Sequence, residues 1–446
     1  MHLIDLTHTA HTRVQTGIQV VCRALYDELS RRHAAQPITW DRYAGEWRRL
    51  EAWEYANLSP DAGRGSGHSA AGKPESRGQS TKRSARWPLH ARWRGRWQRL
   101  RRQLSPSAGE EALVQLAVGV ADAEESLAPQ SQFAPNTTAT KEGRPLPIRS
   151  GLIVPELFNP NLTRYAPLFK IPGPKVAIFH DAIPLKLPEL SPAKTVAFFP
   201  GYLHALLQFD GIAANSEDSA QTLRDYFRWL GAPRTPQVIA IPLGVSLPTT
   251  LPAPPSPQTG DDPPPTVLTV GSIEGRKNHL ALLDAAEMLW AKGRQFKLHI
   301  IGLAQSETGR AALEKIAALQ AAGRPLHYAG HASRAAVETA YAQCAFTVYP
   351  SLIEGFGLPV IESLARGRPC ICSGRGALGE VSRGGGALAL DRMDAPSIAD
   401  AIDALLQSPE YRAKLAAESR TRCFRNWADY TSELLNWMDT LPPRSR

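Results

Sequence analysis

Between Thr266 and Cys372 the chain alternates short, continuous apolar runs with segments of helical periodicity, and that alternation constrains its fold more than any other feature. The runs Thr266–Val270, Lys297–Ile301, Leu326–Tyr328, Phe346–Tyr349 and Pro369–Cys372 are too short for helices and apolar throughout most of their length. Strands that read this way are buried on both faces, as in a parallel sheet covered by helices. The intervening segments, His279–Trp290, Glu307–Ala322, Arg334–Gln343 and Pro359–Ala365, supply that cover. The expectation is a doubly wound α/β domain, whose ligands bind beyond the carboxyl ends of the strands.

The N-terminal half repeats the theme less regularly. A strand, His2–Leu6, leads into a polar loop ending at Thr16-Gly17, and Ile18, Val21, Cys22, Leu25 and Leu29 then mark one buried helix face. The strands Leu152–Val154, Val176–Phe179, Gly211–Ala214 and Val238–Ile241 follow, with helices expected over Ser191–Gln208 and Glu217–Leu230. Residues 1–246 thus read as a first Rossmann-like domain, interrupted at about 59–150 by an insertion rich in Gly, Ser, Pro, Arg and Ala. A Pro-rich linker, 247–265, precedes a second Rossmann-like domain, 266–425. No strand is expected after Cys372, and a last helical segment, 426–446, is expected to pack back toward the first domain. Two facing α/β domains put the binding site in the cleft between them.

Composition narrows the class. The 446 residues are 43% apolar and 21% charged, which excludes a collagen, a wholly disordered chain and a coiled-coil rod. No apolar run reaches the roughly 18–20 residues of a membrane span, and no basic segment followed by an apolar core opens the chain. Five cysteines without zinc spacing fit a reduced, cytoplasmic compartment. The net charge of +9 is local: nine Lys and Arg, and no acid, lie between Thr81 and Gln103. The remainder is balanced, so the charge is no sign of a nucleic-acid partner. Within 82–102, Trp87, Trp93 and Trp97 alternate with the cations, a pattern suited to an anionic membrane surface. A solvated loop is the plainer reading of this window, and a nucleic-acid arm is a third.

Two clusters carry chemistry. In Gly271-Ser272-Ile273-Glu274-Gly275-Arg276-Lys277-Asn278-His279, two cations stand before a helix whose free N–H groups already favour anions. That is a site for a diphosphate, although a basic pair at a helix start is often only solvated. In Tyr349-Pro350-Ser351-Leu352-Ile353-Glu354-Gly355-Phe356-Gly357-Leu358-Pro359-Val360-Ile361-Glu362, two glycines allow a tight turn at a strand end and Pro359 suits the first helical turn. Glu354 on the loop and Glu362 on the helix can both face the cleft, where carboxylates accept sugar hydroxyls. Asn215-Ser216 reads as a helix N-cap and Gly244 as a turn residue.

The string Glu354-Gly355-Phe356-Gly357-Leu358-Pro359-Val360-Ile361-Glu362 resembles the E-x7-E motif of retaining GT-B glycosyltransferases of the family 4 type, and Gly271 to His279 resembles their phosphate-binding loop. Thr16-Gly17-Ile18-Gln19 and His180-Asp181-Ala182-Ile183-Pro184 resemble segments of bacterial polysaccharide mannosyl- and rhamnosyltransferases. The resemblance implies a GT-B fold that holds a nucleotide-sugar in the C-terminal domain and a glycan or lipid-linked acceptor in the N-terminal one. It implies that Arg276 and Lys277 bind the donor diphosphate, with the Gly17 backbone closing over it. Glu354 would contact the transferred sugar, the backbone of Gly355, Phe356, Gly357 and Leu358 would present donors, and Glu362 would hold the ribose. His180 would meet a sugar hydroxyl near the anomeric centre. Ser272 stands in the phosphate loop where many relatives carry Arg.

The same resemblance implies retention of configuration and tilts the donor toward GDP-mannose, with dTDP-rhamnose or a UDP-sugar open. No Asp-x-Asp motif stands at a strand end, so neither a metal nor another cofactor is expected. A catalytically silent nucleotide-sugar-binding scaffold and a GT-B epimerase remain as alternatives.

Overall fold

The computed structural model describes residues 1–14, 16–59, 151–160, 162–248 and 263–442. The insertion from residue 60, with its basic window 82–102, and linker residues 249–262 lie outside the described residues.

In the N-terminal lobe, β1 (His2–Asp5), β4 (Leu152–Val154), β5 (Lys175–Phe179) and β6 (Gly211–Ala214) are short apolar runs buried along nearly all their length. They pair in parallel, Leu3 opposite Leu152 and Val176 opposite Gly211, and β7 (Gln237–Ala240) extends them. On the other side lie β2 (Ala35–Asp41) and β3 (Glu46–Arg49), giving the order β3-β2-β1-β4-β5-β6-β7. These two strands are not evident in the sequence. Pro37 interrupts the first, and the second is a polar antiparallel edge strand anchored by Trp47.

The C-terminal lobe holds six parallel strands, β8 (Thr266–Val270), β9 (Lys297–Ile301), β10 (Leu326–Tyr328), β11 (Phe346–Tyr349), β12 (Cys370–Ser373) and β13 (Ala387–Leu390), in the order β10-β9-β8-β11-β12-β13. β13 corrects the expectation that no strand follows Cys372. It escapes notice because Gly384, Gly385 and Gly386, all at positive φ, break the pattern before it, and its side chains are only partly buried at the sheet edge.

Strand order reverses at two places, between β1 and β4 and between β8 and β11. At such points the connections leave in opposite directions and open a crevice at the strand ends. The segments after β8 and β11 are the two clusters singled out above, so the topology alone brings them together.

The terminal helix Trp427–Thr440 packs on the helix Gly17–Arg31 and on the first sheet. Arg32 donates to Ser432 Oγ and to the Ala428 carbonyl, at 2.9 and 2.7 Å. A Cβ on Gly211 would fall 2.7 Å from the Trp437 ring. Gly244 is not a turn residue: a Cβ there would lie 2.6 Å from the Asn426 carbonyl, so it is small because the backbone of this returning segment crosses it. One hydrophobic cluster runs from Ile4 and Leu25 through Trp427 and Tyr430 to Phe356 and Val360, and so joins both sheets.

Candidate functional site

Glu354 is the centre of the site. Its Oε1 accepts from Arg276 at 2.8 Å, Lys277 at 2.7 Å, Tyr349 Oη at 2.9 Å and Ser351 Oγ at 2.6 Å. The Lys277 ammonium also donates to the Tyr349 hydroxyl and lies 4.7 Å from that ring's centroid. Glu274 pairs with Arg276 from the other side at 2.9 Å. These groups come from the two loops at the β8/β11 switch point. Gly275–Lys277 form a single 3₁₀ turn, Asn278 turns the chain at φ 56°, and the helix His279–Ala291 starts there.

Burial and charge oppose one another here. Burial pushes the Glu354 carboxyl up, but Lys277 and Arg276 outweigh it and hold it at about 2. Lys277 is 8% exposed, and burial drives its ammonium below the usual lysine range. For Arg276 burial works against the charge, yet Glu354 and Glu274 raise its pKa further above neutrality. A carboxylate therefore neutralises a cation pair that a diphosphate could also occupy.

Ser272 is exposed and donates to Glu274 Oε1 at 2.7 Å. Gly357, at φ 107°, caps the helix Leu358–Ala365, and Phe356 is buried in the core. Among the described residues no acceptor meets the amides of Gly355, Phe356 or Gly357. Glu362 lies apart from the cluster, reached by Tyr341 Oη at 3.4 Å, with burial raising its pKa. Gly17 opens its helix in solvent, and a Cβ there would meet nothing within 4 Å.

His180 follows β5 and is 6% exposed. Its Nε2 lies 2.7 Å from the Pro155 carbonyl and its Nδ1 3.0 Å from Asn215 Nδ2. Both ring nitrogens are thus engaged by the protein rather than offered to a sugar. Burial lowers the histidine's pKa, which keeps it neutral. The cap of the next helix is Ser216, whose Oγ accepts from the Ser219 amide; Asn215 serves His180 instead, which corrects its reading as part of an N-cap. Together with Asp181, Pro184 and Phe199 of the first lobe, His180 walls a cavity of about 160 Å³ closed on the far side by Glu274 and Arg276.

The lobes meet tightly beside this cavity. The Glu380 carboxylate accepts the Glu217 and Asp218 amides at 3.0 and 2.7 Å, capping an N-lobe helix from the C-lobe. A Cβ on Gly355 would overlap the His180 carbonyl. Glu380→Ala should lower stability by about 1 kcal/mol, as lost caps do, and should enlarge the radius of gyration in small-angle scattering as the lobes part. Unchanged stability and scattering would show that this contact does not hold the closure.

Sequence reasoning missed Tyr349 and Ser351 as partners of Glu354, and Glu380. Tyr349-Pro350-Ser351 at a strand end was the only local signal.

Residues 256–422 match the profile of the family described as glycosyl transferases group 1. The chain is 27% identical over 205 residues to the serotype-specific mannosyltransferase WbdA of Escherichia coli, covering 44% of this chain and 25% of that protein. It is 28% identical over 280 residues to a GDP-mannose-dependent alpha-(1-6)-phosphatidylinositol dimannoside mannosyltransferase of Mycobacterium tuberculosis, covering 61% and 69%. The chain therefore spans only about a quarter of the length of the first of these relatives. Among solved structures, sucrose-phosphate synthase from Thermosynechococcus elongatus superimposes over 99% of both chains with a TM-score of 0.61 at 16% identity. A UDP-forming trehalose-phosphate synthase from Burkholderia xenovorans gives 0.52 over 66% of this chain and 75% of its own, also at 16% identity. Residues 256–422 are thus similar to the glycosyl transferases group 1 family, and the two lobes share the GT-B fold.

Proposed function

We propose that the chain is a retaining, metal-independent glycosyltransferase that moves a hexose, mannose from GDP-mannose in the first instance, onto a growing surface polysaccharide or lipid-linked glycan. The observation that carries this is the convergence of Arg276, Lys277 and Glu354 at the β8/β11 switch point, opposite His180. Breaking a glycosyl–phosphate bond builds negative charge on the departing diphosphate and positive charge on the sugar ring. Arg276 and Lys277 would receive the first and Glu354 would orient the sugar. The anomeric carbon exchanges its phosphate oxygen for an acceptor oxygen on the same face, and the acceptor proton passes to the leaving phosphate. Two cations beside a helix N-terminus supply the charge that a metal would otherwise bring.

Similarity to a mannosyltransferase and to a GDP-mannose-dependent mannosyltransferase favours mannose and GDP. Among the described residues no helix is long and apolar enough to cross a membrane. We place the protein in the cytoplasm, drawn to the inner membrane face through 82–102.

The test is nucleotide release from GDP-mannose, UDP-glucose and dTDP-rhamnose in the presence of glycolipid extracts, with product anomers read by NMR. One donor should release its nucleotide, with retention, and EDTA should change the rate little. Binding without release would favour the silent scaffold, and loss of activity in EDTA would show a metal requirement.

A further inference from the structure

We propose that Asn215 is a positioning residue that keeps His180 a neutral, Nε2-protonated imidazole at the point in the cleft where the transferred sugar gathers positive charge. Geometry assigns every proton. The Pro155 carbonyl oxygen can only accept, so His180 Nε2, 2.7 Å away, carries the hydrogen. In the neutral ring Nδ1 is then a bare acceptor, and Asn215 Nδ2 donates into it at 3.0 Å. A proton on Nδ1 would face that N–H and lose the bond.

Asn215 is placed for this by the fold. It is 3% exposed, and its backbone amide donates to the Phe179 carbonyl, one residue before His180, so the two side chains leave adjacent strands together. Its Oδ1 is buried with no hydrogen-bond partner. The amide orientation is therefore dictated by the ring, since the oxygen gains nothing from it. Turning the amide over would give Nδ1–H an acceptor, so protonation of His180 and an amide flip are linked events. The charged groups facing this ring are Asp181 on its own loop, which favours the cation, and Glu274 and Arg276 across the cavity.

The chemical need follows from the reaction class, and the rate arm of the test rests on the transferase reading above. A neutral imidazole beside a forming oxocarbenium-like ring costs nothing, whereas an imidazolium there would repel it. Asn215→Asp presents a carboxylate to Nδ1 and makes both ring nitrogens donors, which is the cation.

The test is long-range ¹H–¹⁵N NMR on protein labelled at its 12 histidines, with His180→Ala to assign the signal. The wild type should show an unprotonated Nδ1 and a protonated Nε2. In Asn215→Asp the His180 titration midpoint should rise by about one pH unit or more. Asn215→Leu, which introduces no charge, should raise it by less and serves if the Asp variant does not fold. Nucleotide release by Asn215→Asp should fall about tenfold below the new midpoint and recover above it. Protonated Nδ1 in the wild type, or a midpoint unmoved by both variants, would overturn the proposal. An inactive wild type would instead overturn the transferase reading, while the tautomer result stands on its own.

Discussion

Glu354→Gln should lower stability by about 2–4 kcal/mol, because it leaves the buried Lys277 ammonium without a counter-charge beside Arg276, which keeps only Glu274. Arg276 and Lys277 both rest on the same Glu354 oxygen, and their side chains are only 19% and 10% exposed. The position of Glu354 on a loop suggests a site that tolerates change, but the structure makes it the keystone of the charge cluster. A nucleoside diphosphate bound there would bring its own negative charge to that pair. The ligand should therefore stabilise the Gln variant more than it stabilises the wild type, even though sugar transfer falls by about a hundredfold or more. Chemical denaturation with and without GDP measures both effects. A variant as stable as the wild type would show that solvent, and not Glu354, balances the Lys277 charge.

The acid side gives the same result another signature. Glu354 is held at about 2 against an ordinary value of 4.5. A depressed carboxylate contributes its full stabilisation above the unfolded value and loses it as pH falls through the folded one. The wild type should thus lose stability relative to Glu354→Gln between about pH 4.5 and pH 2, and the gap should not widen above pH 5.

Lys277→Met should do the reverse, sparing the fold and removing the ligand. Glu354 keeps Arg276 at 2.8 Å, so no carboxylate is stranded, and the methionine fills a buried place with an apolar chain. Charge-assisted hydrogen bonds to the diphosphate are worth about 1.5–3 kcal/mol, so its affinity should fall by about 10- to 150-fold. Calorimetric titration of the variant checks the affinity and thermal melting checks the fold. Retained affinity would move the diphosphate away from this loop.

How much of this was legible follows from where the information lies. The C-terminal strands β8 to β12 are local apolar runs, and the loops after β8 and β11 carry their chemistry within a few residues, so both could be read directly. β13 could not, because three glycines and partial exposure remove the apolar signal. Neither could β2 and β3, one holding a proline and the other a polar edge. Partners set by the fold were also hidden: Asn215 meets His180 across 35 residues and Glu380 meets Asp218 across 162. For Asn215 the local rule, that Asn-Ser before a helix is a cap, pointed to its neighbour's role and concealed its own. Tyr349 read as a strand end, and only the convergence of two loops shows its hydroxyl between Lys277 and Glu354.

The measurement closest to the central claim is thermal melting with GDP, UDP, dTDP and ADP, run on the wild type and on Lys277→Met. A ligand at 100 times its dissociation constant adds about 2.7 kcal/mol of stability, a shift that melting resolves easily. One diphosphate, GDP by the present reading, should stabilise the wild type, and most of that shift should vanish in the variant. No stabilisation by any of the four, or an equal shift in both proteins, would contradict the assignment of this cleft to a nucleotide-sugar.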